Sequence, residues 1–68
     1  MKTKHIDEQI SRINKLSTVQ YFWEHYTYTM RPYQLSTYGD NRAIFKGKTK
    51  NELYVFLEGL FLGLGGQY

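Results

Sequence analysis

Between Lys4 and Leu16 the apolar residues fall at Ile6, Ile10, Ile13 and Leu16, and Asp7, Glu8, Gln9, Arg12 and Lys15 lie between them. Steps of four, three and three residues put the apolar set on one face of a helix and leave the polar set for water. Asp7 and Glu8 in the first turn and Lys15 in the last suit the helix dipole. The pattern changes at Ser17-Thr18. From Val19 to Met30 the chain is dense in β-branched and aromatic residues and closes on the alternation Tyr26-Thr27-Tyr28-Thr29-Met30. Those residue types fit a pleated surface, so a strand over about 20–29 is preferred. A helix carried on to about residue 28 is the alternative, because Val19, Trp23, Tyr26 and Met30 also follow helical spacing.

Pro32 ends whatever precedes it, since it lacks an N–H and holds Arg31 extended. Two short runs follow, Tyr33 to Tyr38 and Arg42 to Lys46, around Gly39-Asp40-Asn41. They read as a hairpin with strands over about 33–38 and 42–46. A two-residue loop would mix the faces. A three-residue loop pairs Leu35 with Phe45 and Thr37 with Ala43 on one side, and Tyr38 with Arg42 and Ser36 with Ile44 on the other. This register is preferred, with Asn41 tolerating the left-handed backbone it needs. Thr49-Lys-Asn-Glu52 then matches a capping box ahead of an apolar run, which predicts a second helix over about 50–63. Gly63, Gly65 and Gly66 stop it, and the tail to Tyr68 is expected to be loose.

The expected architecture is α+β: an N-terminal helix, a two- or three-stranded antiparallel sheet, and a C-terminal helix packed on the sheet through Leu53, Leu57, Leu60, Phe61 and Leu64. Ile6, Ile10 and Ile13 complete the core. With 68 residues the chain makes one small domain, 1–68, and its core is thin. No cysteine is present to staple it. The second helix also carries Val55 and Leu62 on the side away from its main stripe, next to a Gly59-x-x-x-Gly63 notch. A helix apolar nearly all round is normally covered on both sides, so Val55, Gly59, Leu62 and Gly63 are candidates for self-association as a homodimer.

Aromatic residues make up 18 % of the chain, more than so thin a core can absorb. Exposed Tyr, Trp and Arg supply interface hot spots, which singles out Trp23, Tyr26, Tyr28, Arg31, Tyr33 and Tyr38 as candidate protein contacts. Cross-strand aromatic pairing is the competing structural role for these rings. Net charge is +3, and Arg42, Lys46, Lys48 and Lys50 form a run without an acid that could hold phosphates. Nucleic-acid binding is the alternative function; lysines on an edge strand also serve simply to block edge pairing.

Little else points to chemistry. His5 and His25 lack the helical i, i+4 pairing that converges on an ion, so no metal or other cofactor is expected. No nucleophile elbow surrounds Ser11, Ser17 or Ser36, and Gly63-x-Gly65-Gly66 follows a helix where a phosphate-cradling loop would open one. No enzyme is expected. The N-terminus is charged, without the apolar core of a secretory signal, and the apolar stretch Leu53 to Leu64 is about half of what spans a bilayer. A cytoplasmic protein without membrane contact is the expectation.

The ending Thr49-Lys-Asn-Glu-Leu-Tyr-Val-Phe-Leu-Glu-Gly59, after a Tyr-rich hairpin and an Ile/Lys/Asn-rich first helix, resembles small accessory proteins of phages and prophages of Gram-positive bacteria, mainly over residues 33–63. Some proteins of that origin, the anti-CRISPR proteins among them, act by binding host defence complexes. The resemblance implies a non-enzymatic binder that blocks a host protein complex, in the host cytoplasm. It carries no active motif, and so transfers no functional residue.

Overall fold

The computed structural model describes residues 2–68, in the order α1 (Thr3–Leu16), β1 (Tyr21–His25), β2 (Tyr33–Thr37), β3 (Ala43–Gly47) and α2 (Lys50–Gly63). The first helix buries Ile6, Ile10 and Ile13. Leu16 leaves the stripe. The chain turns extended at Ser17 and exposes it, so no helix continues toward residue 28. The helix begins at Thr3, which moves Asp7 and Glu8 out of the first turn; that turn holds no acid. Gln9, expected in water, is fully buried. Its amide nitrogen donates to the Tyr68 hydroxyl at 2.6 Å and its oxygen accepts from Arg12 at 2.8 Å, so neither polar end is stranded.

The sheet is an antiparallel meander, β1-β2-β3. Tyr21 lies opposite Thr37, Trp23 opposite Leu35 and His25 opposite Tyr33, while Leu35 also faces Phe45 and Tyr33 faces Gly47. One face therefore carries Tyr21, Trp23, Tyr33, Leu35 and Phe45 toward the helices. The other carries Phe22, Glu24, Gln34, Ser36 and Lys46. Both helices lie on the first face, α1 against β1, α2 against β2 and β3, and the two against each other. The smallest extent of the molecule is 18 Å, room for one helix layer on one sheet, so the second face of the sheet has no layer over it.

Two strand expectations need correction. β1 stops at His25, well short of residue 29. The last ladder bond runs from the Tyr26 N–H to the Pro32 carbonyl at 2.8 Å, and the chain then needs residues 27–31 to turn back into β2. Pro32 has no N–H to return the bond. In the second hairpin Leu35 faces Phe45 as expected, but the register shifts between Leu35 and Ser36, and Ser36 faces Ala43. The Thr37 N–H then bonds to the Arg42 carbonyl at 3.0 Å. Ile44 is the additional residue of this bulge, so the pairs Ser36 with Ile44, Thr37 with Ala43 and Tyr38 with Arg42 do not form. The turn takes up the difference with left-handed backbone at Gly39 (φ 96°) and Asn41 (φ 51°).

At the start of α2 the Thr49 hydroxyl accepts the Glu52 N–H at 3.1 Å, while the Glu52 carboxylate takes the N–H of Lys48, at 3.2 Å. The helix ends in a Schellman motif: Gly66 N–H to Phe61 carbonyl at 2.9 Å and Gly65 N–H to Leu62 carbonyl at 3.0 Å, with Gly65 at φ 88°. A Cβ on Gly66 would sit 2.5 Å from the Phe61 ring. The tail expected to be loose makes two contacts: Tyr68, itself largely exposed, packs on Phe61 at 4.9 Å and accepts the hydrogen bond from Gln9.

The backbone at the start of β1 is bonded to α1 through the Asn14 side chain. Asn14 accepts the Tyr21 N–H at 2.9 Å and donates to the Tyr21 carbonyl at 3.0 Å, as a neighbouring strand would. Replacing Asn14 by alanine is expected to cost about 1–3 kcal/mol, the sum of two ordinary hydrogen bonds. A urea midpoint unchanged by Asn14→Ala would show that water replaces both.

Candidate functional site

β1 and β2 are joined by residues 26–32, of which 26–31 are all exposed and Pro32 is half-buried. The segment has local order. The Tyr26 N–H is fixed on Pro32, the Arg31 N–H reaches the Thr29 hydroxyl at 3.3 Å, and the Tyr26 hydroxyl donates to the Glu24 carboxylate at 2.8 Å. Its apolar side chains are nonetheless in water: Tyr28 is fully exposed (101 %) and Met30 is 85 % exposed. Together with the uncovered face of the sheet the loop borders an open recess of about 460 Å³. His25, Tyr26, Thr27, Tyr28, Thr29 and Arg31 line it from β1 and the loop, Gln34 and Lys46 from the sheet floor.

The hydrogen bond to Glu24, together with some desolvation and the carboxylate's charge, pushes the Tyr26 phenol above its ordinary value of 10.0. The bond needs the protonated phenol. Its contribution is therefore complete below the unfolded value and is lost as pH rises through the raised one. In an alkaline NMR titration the Tyr26 ring is expected to ionise above the ordinary tyrosine value, and Glu24→Gln should lower its midpoint. A Tyr26 midpoint at the ordinary value in the wild type would contradict the geometry.

The six aromatic and arginine candidates do not share one surface. Tyr26, Tyr28 and Arg31 stand together on the loop, with Met30, which sequence reasoning missed although it is the loop's one aliphatic side chain. Trp23 and Tyr33 are half-buried against the core on the helix side of the sheet, their rings stacked at 6.3 Å. The Trp23 indole N–H donates to Asp7 at 2.7 Å and fastens β1 to α1. Tyr38 is exposed beyond the far end of β2, packed on Phe22 at 4.6 Å. On α2, Val55 and Leu62 are 65 % and 56 % exposed, and the space around Gly59 and Gly63 is open.

The basic run is divided as well. Lys46 lines the recess beside Arg31; Lys48 and Lys50 flank the start of α2 near Tyr33; Arg42 lies past the opposite end of β3, next to Asp40. Among the described residues no group of three or more His, Cys, Asp or Glu side chains is placed to hold a metal ion, and no helix is long and apolar enough to cross a membrane. Comparison with protein-family models, curated proteins and solved structures finds no match to this chain.

Proposed function

We propose that this chain is a small, non-enzymatic protein-interaction module whose contact surface is the loop of residues 26–31, and that it works by occupying a surface of a larger protein. The observation that carries this reading is the full exposure of Tyr28 beside an exposed Met30 on a loop held by its own hydrogen bonds. Neither side chain contributes to the core, and each loses favourable burial by standing in water. Tyr, Met and Arg are the types enriched at the centres of protein interfaces, and loops set on a rigid scaffold are where such contacts are built. The resemblance of residues 33–63 to phage and prophage accessory proteins agrees with a binder that blocks a host complex, an anti-defence role.

The test is quantitative capture from a bacterial lysate by immobilised wild type, Tyr28→Ala and Val55→Ala. The expected result is a partner held by the wild type and Val55→Ala and lost with Tyr28→Ala. Identical protein recovery by all three would overturn the proposal.

A further inference from the structure

We infer that the partner presents an acidic peptide segment, whose carboxylates enter the recess under residues 26–31 and meet Arg31 and Lys46. The inference rests on the loop being the contact surface and adds the chemistry of what it contacts. The two cations come from different elements, Arg31 from the loop and Lys46 from β3, and the recess brings them to one wall set. No carboxylate lines that space. Glu24 shares the sheet face with Gln34 and Lys46, but it lies outside the lining and accepts the Tyr26 hydroxyl. Among the described residues neither the Arg31 guanidinium nor the Lys46 ammonium donates to a protein acceptor; the Arg31 bond to Thr29 uses the backbone N–H.

An anion arriving here has two cations at the same recess, the planar donor fork of Arg31 and the point charge of Lys46. Tyr26 and Tyr28, at the same recess, offer hydroxyls and ring faces to the rest of the segment. A nucleic-acid backbone would call for cations spaced along one track; here Lys48 and Lys50 line a separate recess beside Tyr33, and Arg42 sits at the other end of the sheet from Arg31.

The experiment is an amide NMR titration of the full chain with three probes: a Glu-Ser repeat peptide, its Gln-Ser counterpart, and a single-stranded oligonucleotide. The Glu-Ser peptide is expected to move Arg31, Gln34, Lys46 and the 26–31 amides, with weaker binding as salt rises. The Gln-Ser peptide should leave them in place. Arg31→Ala and Lys46→Ala should each weaken the Glu-Ser peptide by about fivefold, the scale of one exposed ion pair. Equal shifts from both peptides, shifts centred on Arg42, Lys48 and Lys50, no shift with any probe, or stronger displacement of the same amides by the oligonucleotide would each overturn the inference. Capture that depends on Tyr28 but not on Arg31 or Lys46 would sink the acidic chemistry and leave the loop reading standing; capture indifferent to all three removes both.

Discussion

Leu35→Ala is expected to destabilise the protein more than any other substitution considered, by about 2–5 kcal/mol at 25 °C. Leu35 is fully buried, stands on the central strand, faces Trp23 and Phe45 across the ladder, and belongs to the same core cluster as Ile6, Ile10, Leu53 and Leu57. Truncating such a leucine removes its transfer free energy and leaves a cavity, about 2–5 kcal/mol together. A domain of this length has a total stability of about 3–10 kcal/mol, at roughly 0.05–0.15 kcal/mol per residue. The loss is thus at least a fifth of the total, and all of it at the upper end of the range. Urea denaturation followed by the single tryptophan, Trp23, would report it as a midpoint displaced far toward zero. Val55→Ala, at an exposed position, should move the midpoint little. If both variants shift it alike, the core is not where the packing places it.

The opposite separation is expected at the loop. Tyr28→Ala combined with Met30→Ser should leave the melting temperature where it is, because neither side chain is buried. The same change should weaken partner binding by about thirtyfold or more, the effect of losing a hot-spot contribution near 2 kcal/mol. Calorimetric melting beside a binding isotherm with the captured partner separates the two effects. A drop in melting temperature of several degrees would instead assign these residues a part in folding.

What could be seen in advance was whatever depends on near neighbours. The isoleucine stripe of α1 and the Thr49–Glu52 cap are set by residues a few positions apart, and periodicity displays them directly. Gln9 could not be placed that way. Its polar type argues for solvent, and its partner Tyr68 lies 59 positions along the chain. β1 is shorter than its pattern suggests because the alternation Tyr26 to Met30 mimics a strand, while the demand of a turn before Pro32 overrides it. The bulge at Ile44 has no mark of its own in an otherwise regular hairpin sequence. In the candidate site, Tyr26, Tyr28 and Arg31 are consecutive enough to be noticed together. Lys46 beside Arg31 is a product of strand order, and the single burial of Trp23 and Tyr33 on the helix side reflects which face the helices chose.

The succession β1-β2-β3 has a kinetic consequence. Each strand pairs with the one just before it, so the meander assembles from short-range closures, whereas the α1 and α2 contact joins the two ends of the chain. Closing that long span carries the larger entropic cost. The order of events expected from this is a sheet that zips early and a helix pair that docks last, with the Gln9–Tyr68 bond among the final contacts to lock.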